Sequence, residues 1–208
     1  MKPPIRVLIV EDHFLARIAL HGVLDAQSGF QIAGETGSGD EAVRLYAELR
    51  PDVVIMDLKL IGTSGFEAIE LIRRQHKGAR ILVLSNFQGS EDIYRAMRCG
   101  ARGYLGKDAG GPQLVEALRT VATGGRFIPK SLESRLAGRC PGSDISPREL
   151  DVLRLLAEGR GTLDIAAQLQ IAEKTVRIHI GNLLEKLGAR DRTHALVIAL
   201  HRGIIHLE

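Results

Sequence analysis

The stretch PDVVIMDLKLIG, residues 51–62, is informative about the fold, because a short apolar run leads directly into a carboxylate. Residues 53–56 are all apolar, and Asp57 follows them at once. A continuous apolar run of this length indicates a strand buried on both faces, as in a parallel sheet. Functional side chains in such sheets lie at the carboxyl ends of the strands. Asp57 is therefore a candidate functional residue.

Strand-like and helix-like segments alternate through the first 124 residues. Apolar runs predict strands at 6–10, 30–35, 52–56, 80–84 and 102–105. Helix-like segments follow them at 14–26, 39–49, 64–75, 90–99 and 111–123. In the last segment, Leu114, Leu118 and Val121 recur at helical spacing and form one apolar face. Five βα units predict an α/β fold with a doubly wound, five-stranded parallel sheet. If the sheet is flavodoxin-like, its strand order is 2-1-3-4-5.

Side chains suited to phosphoryl chemistry stand at the carboxyl ends of four predicted strands. They are Glu11, Asp12, Asp57, Ser85 and Lys107. If strands one and three are neighbours, Asp12 and Asp57 come close and repel unless a cation neutralises them. Three acids suit Mg²⁺, a hard cation. Asp57 could then act as a nucleophile, with Mg²⁺ and Lys107 stabilising the transferred charge and Ser85 bonding a phosphate oxygen.

The second half of the chain has a different texture. Residues 123–144 are rich in glycine, proline and basic residues, which predicts a linker with a short helix near 130–137. Ser146 and Glu149 then form a capping box that opens a helix whose buried face carries Leu150, Leu153 and Leu156. Further helices are predicted at 162–168, 173–186 and 192–201. Four short helices indicate a small all-α domain containing a helix-turn-helix.

The third of these helices has an unusual polar face. Lys174, Ile178, Gly181 and Asn182 lie opposite the apolar stripe, with Arg177 at the margin. Ile178 could meet a thymine methyl group in the major groove, or it could be an ordinary exposed residue. Gly181 would permit close approach to DNA, although loose surface packing explains it equally well.

Composition bounds the class of protein. The chain has 208 residues, of which 45% are hydrophobic, enough for a substantial core. There is no apolar run long enough for a transmembrane helix, and the N-terminal sequence does not predict a signal peptide. Cys99 and Cys140 lack metal-ligand spacing, which indicates reduced thiols in a cytosolic protein.

Residues 5–124 resemble a response-regulator receiver domain. The motifs VEDH, IMDLKLIGTSG, LVLS and GARGYLGKD match that family in order and spacing. The resemblance implies that Asp57 is the phospho-acceptor and that Mg²⁺ is held by Asp12, Asp57 and the Lys59 carbonyl group, with Glu11 acting through water. It also implies a switch pair, Ser85 and Tyr104. Leu60-Ile61 departs from the Met-Pro that is usual in the loop.

Residues 144–208 resemble the DNA-binding domain of the LuxR/NarL type. The matching text is ISPRELDVLRLLAEG followed by IAAQLQIAEKTVRIHIGNLLEKLGARDRTHAL. The resemblance implies DNA contacts from the third helix and a dimer contact from helix 192–201. The apolar residues expected to be available for that dimer contact are Ala195, Leu196, Ile198 and Ala199. The implied DNA-binding residues are Lys174, Thr175, Arg177, Ile178, Gly181, Asn182 and Lys186. Base contacts are implied at Arg177, Ile178 and Gly181, and phosphate contacts near Lys174, Thr175 and Lys186. Ala172 stands where a capping serine is usual, which would cost about 1 kcal/mol at that helix end.

The net charge of +3 belongs to the segment that connects the two regions of family resemblance. Residues 125–141 hold four basic residues against Glu133, whereas the segments on either side are balanced. A non-specific binder of polyanions would be more basic. Steering toward DNA would therefore depend on the local cluster of Lys174, Arg177 and Lys186.

The sequence thus predicts a response regulator of the NarL/LuxR (FixJ) type. Its parts are a receiver domain at 1–124, a linker at 125–143 and a helix-turn-helix domain at 144–208. A partner histidine kinase would phosphorylate Asp57 and thereby control the formation of a homodimer. The dimer would bind inverted repeats in double-stranded DNA in the cytoplasm. RNA polymerase is a further candidate partner. The chain would not be an enzyme. Two alternatives stay open: a phosphorylation-independent regulator that uses its receiver only to dimerise, and an aspartyl-phosphate phosphotransferase or phosphatase.

Overall fold

A parallel five-stranded sheet carries the first half of the chain. The computed structural model describes residues 3–137 and 145–206. The strands are β1 (Ile5–Val10), β2 (Phe30–Thr36), β3 (Val53–Met56), β4 (Ile81–Ser85) and β5 (Gly103–Gly106). Their order, β2-β1-β3-β4-β5, confirms the predicted topology. All four residues of β3 are buried, as the unbroken apolar run predicted.

Helices connect the strands and cover the sheet. They are α1 (Phe14–Asp25), α2 (Gly39–Leu49), α3 (Gly65–Gln75), α4 (Ser90–Cys99) and α5 (Gly111–Ala122). Each begins and ends within one residue of its prediction, because capping residues mark several of the boundaries. Ser64, for example, forms a capping box with Glu67 at the start of α3. The next residue must be glycine, since a Cβ atom at Gly65 would collide with the carbonyl oxygen of Asp57. The start of α3 therefore packs directly on the segment that carries the candidate acceptor.

The remaining helices confirm the predicted helix-turn-helix architecture. They are α6 (Lys130–Ala137), α7 (Pro147–Ala157), α8 (Thr162–Leu169), α9 (Glu173–Leu187) and α10 (Arg192–Arg202). The turn between α8 and α9 passes through Gln170, which adopts the left-handed conformation with φ of 54°. Residues 138–144, which include Arg139, Cys140 and the end of the predicted linker, lie outside the described residues.

The described residues fall into two compact units. One comprises residues 3–88 and 93–133, and the other comprises 89–92, 134–137 and 145–206. In the first, a core of apolar side chains from the sheet packs against α1 and α5. In the second, α7, α8, α9 and α10 enclose a core of their own. Over the ranges that the structure covers, no helix combines the length and hydropathy needed to span a bilayer.

The buried face of α7 differs from the prediction. Leu153 and Leu156 are buried as expected, but Leu150 is only partly buried, while Val152 and Leu155 are also buried. The reason is that α7 packs against three helices, α8, α9 and α10, so that its buried face is wider than a single stripe. Periodicity along one helix does not reveal how many neighbours that helix has.

Candidate functional sites

Three carboxylates meet at the carboxyl edge of the sheet. Glu11 and Asp12 follow β1, and Asp57 follows β3, which is the neighbouring strand in parallel register. One carboxylate oxygen from each residue lies within 4.8 Å of the others. Glu11 and Asp57 are buried, whereas Asp12 is partly exposed. The predicted proximity of Asp12 and Asp57 is therefore confirmed.

Lys107 completes this cluster. Its Nζ atom lies 2.6 Å from Glu11 Oε2 and 2.7 Å from Asp57 Oδ2. Burial raises the pKa of Glu11, with the charge of Asp57 adding to the effect. Burial alone would lower the pKa of Lys107, but its hydrogen bonds to Asp57 and Glu11 outweigh that effect and raise it. With all groups ionised, three carboxylates and one ammonium leave a charge of −2, which suits one divalent cation.

The backbone holds the Asp57 carboxylate in place. Its Oδ1 atom accepts hydrogen bonds from the Leu58 amide at 2.6 Å and the Lys59 amide at 3.3 Å. Its Oδ2 atom faces Lys107, so the two oxygens have different partners. The Lys59 side chain is exposed, and the contact of this residue with the acceptor is made by its backbone amide.

The loop after Asp57 is tied to the start of α2. Thr63 Oγ1 donates a hydrogen bond to Asp40 Oδ1 at 2.6 Å, and Ile61 forms a parallel β-bridge with Ser38. The Ile61 side chain itself is 75% exposed. These contacts fix the loop at the position where Ile61 departs from the usual proline.

Ser85 and Tyr104 are both buried and both contact the backbone of Phe87. Ser85 Oγ accepts a hydrogen bond from the Phe87 amide at 3.2 Å. The Tyr104 hydroxyl donates to the Phe87 carbonyl oxygen. The sequence does not identify Phe87 as a functional residue, because a hydrogen bond to the backbone does not depend on residue type.

In the second unit, α9 presents the polar face that its sequence predicted. Lys174, Arg177, Ile178, Gly181 and Asn182 are exposed, and Thr175 is partly buried. Ile178 is 52% exposed. A Cβ atom at residue 181 would meet no other described atom within 4 Å, so packing inside the domain does not require the glycine. Ala172, the N-cap residue, provides no side-chain hydrogen bond, as expected.

Two basic side chains of α9 already have partners within the domain. The Arg177 guanidinium pairs with Glu173 Oε1 one turn earlier, at 2.5 Å. Lys186 Nζ lies 2.7 Å from Oε2 of Glu149, which is buried in the first turn of α7. From the sequence, Glu149 was predicted only as part of a capping box. Its burial could have been predicted, since the helical spacing places Glu149 on the same face of α7 as Val152 and Leu153.

The proposed dimer helix needs a correction. The apolar residues expected to be available on helix 192–201 included Ala195 and Ala199. Both are buried inside the domain core. They face inward because α10 packs against α7 and α9. Val197 is instead the large apolar side chain of α10 that is exposed, at 49%.

The first domain carries an acidic pocket with a lysine at the edge of a doubly wound sheet, and a helix-turn-helix domain follows it in the chain. This combination defines a class of two-domain regulators. Residues 7–119 match the family described as response regulator receiver domain. Residues 143–199 match bacterial regulatory proteins of the luxR family. The chain therefore belongs to the DNA-binding response regulators of the NarL/LuxR type.

Similar proteins span nearly the whole chain. The transcriptional regulatory protein LiaR of Bacillus subtilis (strain 168) is 39% identical, covering 96% of this chain and 98% of that protein. The nitrate/nitrite response regulator NarP of Escherichia coli (strain K12) is 36% identical, covering 96% of each. RcsB of Salmonella enterica serovar Typhimurium, bound to promoter P1flhDC with the phosphomimetic BeF₃⁻, matches with a TM-score of 0.70. It is 25% identical, covering 96% of this chain and 98% of that chain.

Proposed function

We propose that this chain is a transcription factor controlled by phosphorylation of Asp57, with a sensor histidine kinase as the phosphoryl donor. The observation that carries this proposal is the pocket formed by Glu11, Asp12, Asp57 and Lys107 in a chain that also presents the exposed face of α9. In this proposal the domains are 1–124, 125–143 and 144–208. The chain acts on DNA in the cytoplasm and is not an enzyme.

The pocket residues fit a magnesium ion. The carboxylate oxygens of Asp12 and Asp57, with the Lys59 carbonyl group, would bind it directly, and Glu11 would bind it through water. Mg²⁺ supplies neutralisation of the phosphoryl oxygens. Lys107 already contacts Asp57, so its ammonium group would stabilise the same developing charge.

The switch in this proposal is the pair Ser85 and Tyr104. Ser85 lies at the end of β4, and its hydroxyl group would turn from the Phe87 amide toward a phosphate oxygen on Asp57. The Tyr104 hydroxyl is bonded to the carbonyl group of the same Phe87. A movement of the β4–α4 segment would therefore change the environment of both side chains together.

The exposed face of α9 would enter the major groove of double-stranded DNA. Arg177, Ile178 and Gly181 would approach base edges, with Asn182 beside them. Lys174 and Thr175, in the first turn of α9, would hold the phosphate backbone. Arg177 is available for this role because its exposed pair with Glu173 contributes only about 0.3–0.5 kcal/mol.

The active form would be a homodimer that recruits RNA polymerase at an inverted repeat. The exposed Val197 on α10 suits a two-fold contact between DNA-binding domains. In such a dimer the half-sites lie about one helical turn apart.

Treatment with acetyl phosphate and Mg²⁺, followed by light scattering and DNase footprinting, tests this function. The treated protein should dimerise and protect an inverted repeat, while Asp57→Asn should do neither on treatment. The Val197→Glu variant should accept phosphate but lose affinity for the repeat. Protection of a single half-site at full affinity by a monomer would contradict the proposal.

A further inference from the structure

We infer that Lys186 positions the recognition helix α9 through Glu149 and does not hold a DNA phosphate. This inference rests on the proposed DNA-binding function, and it reassigns a lysine that the family resemblance places on the phosphate backbone. The carrying observation is an ion pair between the partly exposed Lys186 and the buried Glu149, which joins the last turn of α9 to the first turn of α7.

Glu149 cannot reach DNA from its place in the domain. It is only 3% exposed and lies on the apolar side of α7. Its Oε2 atom accepts hydrogen bonds from the Ser146 amide at 2.7 Å, the Ser146 hydroxyl at 2.8 Å and the Lys186 ammonium at 2.7 Å. Lys186 is therefore the cation that neutralises a carboxylate withdrawn from water.

Moving Lys186 to a phosphate would leave that carboxylate buried without its counter-ion. Removal of one partner from a buried pair is strongly unfavourable, because the remaining charge has lost its hydration. Burial alone would raise the pKa of Glu149, but its bonds to Lys186 and Ser146 hold the pKa below the ordinary value. The carboxylate therefore stays ionised near neutral pH and continues to require its cation.

The position of the pair along α9 explains how it would affect DNA binding. Lys186 lies nine residues after Arg177, which corresponds to about 14 Å along the helix axis. A tilt of about 10° at the Lys186 end would therefore displace Arg177 by about 2 Å. Contacts that read bases tolerate only about 0.5 Å of error. The pair at one end of α9 thus governs the accuracy of contacts at the other end.

The test compares full-length variants on a duplex that the parent protein protects. Glu149→Gln removes the charge but keeps a capping residue, since glutamine also serves in a capping box. Lys186→Met removes the other partner, and a double variant removes both. Ser146→Ala is the matched control because it weakens the same helix cap without changing Lys186. Lys174→Ala is the reference for a phosphate contact, with an expected change of about 0.9 in the salt slope.

If Lys186 positions α9, Glu149→Gln and Lys186→Met should weaken DNA binding by a similar factor, about 2- to 30-fold. The double variant should be no weaker than the worse single variant, and Ser146→Ala should bind nearly as the parent does. Circular dichroism at each salt concentration measures the folded fraction of every variant, and the apparent Kd is corrected for it before the slopes are compared.

Three results would overturn the inference. One is a loss of about one unit of salt slope in Lys186→Met while Glu149→Gln binds as tightly as the parent. Another is equal weakening by Ser146→Ala, which would assign the effect to the cap. The third concerns hydrogen exchange without DNA, where Lys186→Met and Glu149→Gln should both lose protection at the facing ends of α7 and α9. If they do not, the positioning role fails even if the parent protein binds no specific duplex.

Discussion

Lys107 Nζ donates a hydrogen bond to Asp57 Oδ2 at 2.7 Å, although the two residues are 50 positions apart in the chain. The same ammonium group reaches Glu11 Oε2 at 2.6 Å. One cation thus bridges two carboxylates that follow adjacent strands and would otherwise repel each other. The acceptor is held in a pocket that still carries a charge of −2 when Asp12 is included.

Replacing Lys107 by methionine should destabilise the receiver domain and impair phosphorylation. The loss of hydrogen bonds to charged partners should cost about 1.5–3 kcal/mol. Excess Mg²⁺ should restore part of this stability, because it neutralises the same acids. Tyrosine fluorescence can follow this unfolding, since Tyr46, Tyr94 and Tyr104 all belong to the first unit and the chain has no tryptophan. The exposed Lys59→Met is the matched control, and an equal effect there would refute the assignment.

Acidification should loosen the DNA-binding domain through Glu149. Folding lowers the pKa of Glu149, so the ionised carboxylate stabilises the folded domain fully above about pH 4.3, which is the ordinary pKa of glutamate. The stabilisation is lost as the pH falls through the lowered pKa. Hydrogen exchange, corrected for intrinsic rates, should show protection in α7 and α9 declining with acid in the parent and less so in Glu149→Gln. Identical pH profiles would count against a stabilising role of the Glu149–Lys186 pair.

Ile178 tests whether an exposed apolar side chain reads a base. Ile178→Ala should cost on the order of 1 kcal/mol per half-site and relax preference at one base position, because the thymine methyl contact is lost. Titrations against duplexes with single base-pair changes would measure this, with circular dichroism to confirm folding. A folded variant that binds every duplex as tightly as the parent would make Ile178 an ordinary surface residue.

Lys174 and Arg177 should separate phosphate binding from base reading. Lys174→Ala should weaken all sequences alike and lower the salt slope by about one unit, as expected for a lost phosphate contact. Arg177→Ala should cost about 1–3 kcal/mol and relax specificity at one position. Binding measured between 50 and 200 mM salt distinguishes the two. If both variants change only the salt slope, Arg177 holds a phosphate as well.

The sequence was sufficient to predict the sheet and the elements around it. Unbroken apolar runs such as 53–56 and caps such as Ser64 are local signals, and they mark where strands and helices begin and end. These boundaries depend on neighbouring residues in the chain, which is why they could be predicted. The strand order, which places Asp12 beside Asp57, was instead expected from the flavodoxin-like arrangement of a receiver domain.

The misses involve contacts between distant elements. The burial of Ala195 and Ala199 depends on helices packed against α10, which its own periodicity does not show. The Glu149–Lys186 pair spans 37 positions and joins two helices. A lysine beside an apolar stripe looks the same in sequence whether it faces water or a buried acid. Tertiary packing decides between the two.

Intact-mass measurement after incubation with acetyl phosphate and Mg²⁺ tests whether Asp57 is the phospho-acceptor. We expect one phosphoryl group per chain, located on Asp57 by peptide mapping and absent when Mg²⁺ is chelated. Asp12→Ala should slow the labelling because the metal is held less well, and Asp57→Asn should abolish it. Undiminished labelling of the Asp57→Asn protein would contradict the account.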